Sequence, residues 1–396
     1  MGVKEVKLKE LLLVFRNGAS IKQFEGAEGL PITRIETISD ATINPLKVGY
    51  ANIFDDKYQD YYLQEGDILL SHINSVTHLG KCAIYTNPID KLIHGMNLLM
   101  LRANRDLILP KYLYYVLNSK QFKVQLPKIT KKSVNQASMT VTDIGNLKLL
   151  IEEDLEQQQK IVEILDKADE IRAKKKLAND KLDEFLKSTF ISMFGDPVRN
   201  EQKYPKQALC SLCNKITDGT HDTPPRYDSG VMIITGKNIR PFKIDYSQLD
   251  YVTEADHKII YERCNPEYGD VLYTNIGVNL GTAVMNNIHE EFSMKNVALL
   301  KNKREVLNSR FLEHILNFNT TKSEIIRISS LGGAQKFLSL QQIRNFEIIL
   351  PPIEEQNKFA EIVEKVELQK QKNEEVIEQM DNLFNSLSQR AFKGEL

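Results

Sequence analysis

The sequence predicts a mixed α/β (α+β) fold in which two globular domains, related by approximate two-fold symmetry, are separated by two long helices that form an antiparallel coiled coil. Three observations predict it. The chain repeats itself at an offset of 198 to 203 residues. Each repeat opens with short apolar runs punctuated by turn residues, the mark of a domain of short strands and helices. Each repeat closes with a charged stretch that carries apolar residues on a heptad and keeps Gly and Pro to its ends.

The repeat shows in matched segments. "GLPITRIETI" (29–38) falls on "GVMIITGKNI" (230–239), and "GDILLSHI" (66–73) on "GDVLYTNI" (269–276). "MNLLMLRAN" (96–104) falls on "KNVALLKNK" (295–303), and "NQASMTVTDIGNLKLLI" (135–151) on "AQKFLSLQQIRNFEIIL" (334–350). "EQQQKIVEIL" (156–165) meets "EQNKFAEIV" (355–363), and "LDEFLKS" (182–188) meets "MDNLFNS" (380–386). A unit this long is a duplicated domain, not a solenoid repeat. The expected boundaries are a first globular domain at 1–151, a central helix at 152–197, a second globular domain at 198–350 and a C-terminal helix at 351–396.

Within the globular parts, turn signals stand at Asn17-Gly18, Gly66-Asp67, Asp218-Gly219 and Gly332-Gly333. "DILLSHI" and "DVLYTNI" read as strands, and "KYLYYVLNS" (111–119) and "RFLEHILNF" (310–318) as helices. In the central helix the expected seam is Ile161, Ala168 and Leu182 at a, with Ile164, Ile171 and Phe185 at d. In the C-terminal helix it is Phe359, Val366 and Met380 at a, with Ile362, Val376 and Leu383 at d. Lys175 and Asn373 fall at a in mid-seam, where a polar residue lowers stability and fixes register. About 40 residues at 1.5 Å each make helices about 60 Å long.

Composition is that of a globular protein, 42% apolar and 27% charged, with four cysteines. That cysteine usage suits a reducing cytoplasm. No apolar run approaches a membrane span, the start lacks a myristoylation Ser or Thr, and "KGEL" departs from an ER-retention tag, so no membrane partner is expected. The net charge of −1 hides segregation. The four segments carry +5, −4, +2 and −4 in chain order. Basic domains suit phosphate contact and acidic helices suit a protein partner.

No catalytic pattern stands out. "NPEY" (265–268) departs from the Asn-Pro-Pro-Tyr of adenine methyltransferases at Glu267, and no Gly-rich cofactor turn accompanies it, so it reads as a turn. "CSLC" (210–213) is one Cys pair where a closed zinc site needs four ligands; His257 and Cys264 would have to complete it by folding. No metal site is expected. The candidate recognition segments are the loops 16–24 and 218–227, which do not repeat although the scaffold around them does. With nearby polar and basic residues they nominate Asn17, Ser20, Lys22, Gln23, Arg34, Lys128, Lys131 and Lys132 in the first domain. In the second they nominate Thr220, His221, Thr223, Arg226, Lys237, Asn238, Arg240 and Lys336.

"DGTHDTP", "GKNI", "GDVL", "LSLQQIRNFEIILPPIEEQNKF", the closing "QRAFKGEL" and the twofold domain-then-helix order resemble the specificity subunits of type I DNA restriction–modification systems. The resemblance covers essentially the whole chain. It departs at Glu152-Glu153, where the second junction has Pro351-Pro352, and at "RIETIS" in place of "GKNI". The resemblance implies a subunit without catalytic activity whose two target-recognition domains each read half of a bipartite double-stranded DNA site. It implies that the coiled coil sets the spacing and holds two modification subunits, which carry S-adenosylmethionine, and that restriction subunits join them. No cofactor is expected on this chain itself. The rival readings are a self-contained DNA adenine methyltransferase and a coiled-coil scaffold with no role at DNA.

Overall fold

The computed structural model describes residues 2–39, 42–86, 88–133, 136–277, 279–329 and 337–391. They form two compact units, Met1–Leu177 with Asn373–Leu396, and Ala178–Lys372. Each unit holds one globular domain and part of both long helices, α1 (Leu155–Phe194) and α2 (Ile353–Ala391). No described helix is long and apolar enough to cross a membrane.

The first unit is built on a four-stranded antiparallel sheet in the order Leu12–Asn17, Leu99–Ala103, Ile68–Leu70, Cys82–Ile84. The second repeats it as Cys213–Asp218, Ala298–Asn302, Val271–Tyr273, Ala283–Met285. Even the irregularity recurs: the first strand slips register between Leu12 and Val14 in one unit and between Cys213 and Lys215 in the other. A helix, Pro110–Asn118 or Ser309–Asn317, packs on each sheet with its apolar face buried.

The repeated Gly-Asp of the two sheets is a structural turn. Gly66 and Gly269 have φ of 93° and 85°, a region an L side chain rarely enters. The next residue closes the turn with its carboxylate. Asp67 accepts from the backbone N–H of Gln64 (2.8 Å) and from Arg102 (2.7 Å). Asp270 accepts from the N–H of Glu267 (2.8 Å) and pairs with Lys301 (3.0 Å). Both carboxylates are buried, so the cation on the neighbouring strand is what makes their burial tolerable.

A second duplicated device fastens each long helix to its domain. Gln158 is fully buried; its amide donates to the carbonyls of Leu107 and Glu152 and accepts from the N–H of Leu109. Gln356 does the same with Val306, Pro351 and Asn308.

The helices run antiparallel within each unit. In the first, Arg172 meets Asp381 (2.7 Å) and the Lys175 ammonium donates to Asn373 Oδ1 (3.2 Å). In the second, Lys370 meets Asp183 (2.7 Å) and Phe190 lies edge-on to Phe359. The two mid-seam polar residues, counterparts in the repeat, thus face each other. The apolar seam differs from the expected one in both helices and by the same step. Ile161, Ala168, Phe359 and Val366 are buried and Leu182 and Met380 half-buried at a, as expected. The second row is one residue later: Leu165 and Leu186 are buried where Ile164 and Phe185 are 41% and 49% exposed. Val363 is buried and Phe384 packs on Tyr115, while Leu383 is 44% exposed and Ile171 40%. Ile362 and Val376 are half-buried flanks. The physical reason is that both flanks of the a row carry apolar residues, and the seam chooses the flank whose charged members, Arg172 and Lys370, reach an aspartate across the pair.

Candidate nucleic-acid interface

In the second unit the residues around the loop 218–227 enclose an open cavity of about 470 Å³ lined by Arg226, Lys237, Arg240, Lys295, Asn279 and Asn296 among others. Four cations converge on one hollow, and carboxylates behind them set their positions. Asp250 pairs with Lys237 (2.9 Å) and lies 3.8 Å from Arg226 Nε; Asp245 lies 3.4 Å from Arg240. Arg226 lines this hollow, and its Nη1 is buried with no hydrogen-bond partner among the described residues. Such a site takes phosphate oxygens or the acceptor edge of a guanine.

The other nominated residues of this unit serve the frame of the cavity. His221 is held between Asp218 (2.8 Å) and Asn296 (3.1 Å). Thr220 is buried and accepts from the N–H of Asp222; Thr223 accepts from the Lys295 ammonium. Asn238 is 1% exposed, accepts from Thr235 N–H and hydroxyl, and donates to the carbonyls of Asp245 and Gln248. All its hydrogen-bonding capacity is spent inside the turn, so it is a correction to the sequence-based expectation: it braces the site and does not reach a ligand. Lys336 lies outside the described residues.

In the first unit, Gln23 from the loop 16–24 accepts from Arg34 Nε at 2.7 Å, so two nominated residues meet. The loop is tied down where Phe24 N–H meets the Tyr50 carbonyl (3.4 Å) and Ala19 N–H the His94 carbonyl (2.8 Å). Asn17, at a strand end, and Ser20 and Lys22, on the loop, are exposed. Lys131 and Lys132 form an exposed strand on a separate three-stranded ribbon, with Lys128 in the short helix before it. They make a basic edge apart from the Gln23–Arg34 contact.

The weighed catalytic patterns resolve structurally. Asn265 ends the helix Glu254–Cys264 with φ of 38° and accepts from the Lys215 ammonium, so "NPEY" is a helix-terminating turn. Cys210 is exposed while Cys213 is buried. Among the described residues no three His, Cys, Asp or Glu groups converge to hold a metal ion. His257 stands between Ser293 (3.1 Å) and Glu291 (3.3 Å) in the manner of a triad, but Ser293 is wholly buried and no substrate can reach it. Sequence reasoning missed Lys295, Asn279, Asn296 and Asp250. Lys295, Asn296 and Asp250 come to the cavity through pairing of Val231–Thr235 with Ser293–Lys295 and Asp250–Val252, and Asn279 through its donation to the Gly236 and Ile239 carbonyls, which no local pattern announces.

The family model described as the type I restriction modification DNA specificity domain matches residues 1–182 and again 211–379. The chain is 30% identical to a putative type I restriction enzyme MjaX specificity subunit of Methanocaldococcus jannaschii, over 96% of this chain and 91% of that one. It is 23% identical to the EcoKI specificity subunit of Escherichia coli over 39% of this chain and 34% of that one. Among solved structures, the type I S subunit from M. genitalium shares its fold with a TM-score of 0.57 at 13% identity, covering 99% of this chain and 96% of that one. A chain from a study of type I complex assembly and conformational transition gives 0.56 at 17%, covering 100% and 98%.

Proposed function

The chain belongs to the family of type I restriction–modification specificity subunits, and from that premise we propose how its parts share the work. Each globular domain reads one half of a bipartite double-stranded DNA site. The loops 16–24 and 218–227 and their neighbours provide the readers, and Lys128, Lys131 and Lys132 hold phosphate. The helix pair sets the distance between the half-sites and docks two modification subunits, with restriction subunits joining that assembly. S-adenosylmethionine and methyl transfer belong to the modification subunits; this chain supplies address and geometry without catalysis, in the cytoplasm.

The observation that carries the proposal is the contrast within the duplication. Scaffold devices recur residue for residue, the Gly-Asp turn and the glutamine clamp among them, while the cation-bearing loops differ. Two frames holding unlike readers suit a site with two unlike halves. The exposed apolar residues Ile164, Ile171 and Leu383 of the first unit, and Phe185 of the second, are the positions we assign to contacts with modification subunits.

The test is a methylation map. The chain is co-expressed with its modification subunit in a methylation-free host, and modified bases are located by sequencing. Two short specified parts around a fixed unspecified gap are expected. Absence of modification, with the partner intact and bound, would refute the proposal. S-adenosylmethionine binding by the isolated chain would favour the methyltransferase reading instead.

A further inference from the structure

The strand registers align the two recognition regions position by position. In the first unit Ile32 pairs with Gly49 and bridges in parallel to Ile93. In the second Ile233 pairs with Asp250 and in parallel with Ser293. Gly49 therefore occupies the place of Asp250. Asp250 is the carboxylate that faces Arg226 and Lys237. At Gly49 there is no side chain, and a Cβ built there would lie 1.8 Å from Gln23 Oε1 and 2.4 Å from Arg34 Nε. The space that holds a carboxylate in one domain holds a neutral amide–guanidinium contact in the other.

This exchange matters for recognition. Gln23 Oε1 fixes Nε of Arg34 at 2.7 Å, and among the described residues Arg34 has no carboxylate partner. No described carboxylate neutralises its charge, and its rotation is restrained by the amide. The half-buried guanidinium keeps its two terminal nitrogens as the parallel donor fork that matches O6 and N7 of guanine. The contact gathers three segments distant in sequence, the loop at 23, the strand end at 34 and the strand at 49, as a preorganised reader requires.

We infer that Arg34, aligned by Gln23 in the space left by Gly49, reads a guanine in one half of the DNA site. Arg34 is the specificity-determining residue, Gln23 its positioning residue, and Gly49 the position that admits the pair. The inference rests on the proposed function.

The test uses the full chain with its modification subunit and reads methylation at sites altered one base pair at a time. For Arg34→Ala, discrimination at one guanine of one half-site is expected to fall about tenfold or more, with the other half-site unchanged. Gln23→Ala should relax the same position by about fivefold, the worth of one hydrogen bond. Gly49→Ala, whose Cβ would displace both Gln23 and Arg34, should relax that guanine at least as much as Gln23→Ala. Arg34→Lys keeps the charge and loses the fork, so it should relax that guanine too, and it serves if Arg34→Ala fails to fold. The inference is overturned if Arg34→Lys and Gln23→Ala leave every specified base as strict as before, or relax both half-sites alike. A wild-type chain that directs no split motif takes down the proposed function and this inference together; a split motif indifferent to Arg34 sinks the inference alone.

Discussion

At the scale of single residues, the fold depends on two buried glutamine amides whose hydrogen bonds recur in both halves of the chain. Gln158 and Gln356 each satisfy two carbonyls and one N–H at a domain-to-helix junction. Gln158→Ala or Gln356→Ala strands those groups and should cost about 2–4 kcal/mol, seen as a lower denaturant midpoint. Glu313 is a different case. It is fully buried, accepts from the Met285 N–H at 2.8 Å, and shares Arg310 with Glu367. Burial, aided by the charge of Glu367 and opposed by Arg310, pushes its carboxyl up to about 7. A carboxyl whose pKa rises on folding is held more tightly by protons in the native state. Its contribution is therefore complete below the unfolded value near 4.5 and is lost as pH rises towards 7. Glu313→Gln should remove that slope, so the stability gap should move in the variant's favour by up to about 3 kcal/mol between pH 4.5 and 8. Urea melts across this range check it, and a gap that does not change with pH would contradict the reading.

At the scale of elements, each long helix has two apolar flanks beside one committed row. One flank, with Leu165, Leu186 and Val363, is spent on the seam or the domain cores. The other leaves Ile164 and Phe185 largely exposed. Surface substitutions usually change stability by less than about 0.5 kcal/mol. Ile164→Glu with Phe185→Glu should thus leave the melting temperature nearly unchanged while abolishing co-purification of the modification subunit. A large loss of stability would mean that these side chains belong to the fold instead. The facing Lys175 and Asn373 explain how two nearly equivalent helices keep one register: any slip buries the ammonium against apolar neighbours.

At the scale of the whole molecule, the duplication makes length a functional variable. One heptad adds about 10 Å of helix, close to three base pairs at about 3.4 Å each. A matched heptad inserted between Lys175 and Leu182 and at the corresponding place in α2 should lengthen the unspecified gap of the methylation motif by about three base pairs. An insertion in α1 alone should prevent the Arg172–Asp381 and Asp183–Lys370 pairs from being kept in register together and abolish modification. Charge segregation gives a further expectation. Lys131→Ala should weaken binding to all DNA sequences alike and lower the steepness of the salt dependence by about one. A loss confined to particular sequences would make Lys131 a reader instead.

The antiparallel pairing is an inference from economy of arrangement, whereas the duplication, the alternation of globular segment and heptad stretch and the a rows of the seam are legible in the chain itself. Those features rest on local periodicity and on comparison of the chain with itself, and both are present in one dimension. The sequence also nominated Gln23, Arg34, Arg226, Lys237 and Arg240. Tertiary structure alone decided which flank of each helix is buried, because Ile164 and Leu165 are equally apolar and only the cross-pair aspartates distinguish them. It alone turned Asn238 inward and tied the exposed His221 to Asp218 and Asn296, since the partners of a side chain are brought in by folding. The equivalence of Gly49 and Asp250 likewise appears only in the strand registers, because a missing side chain gains meaning from what fills its space.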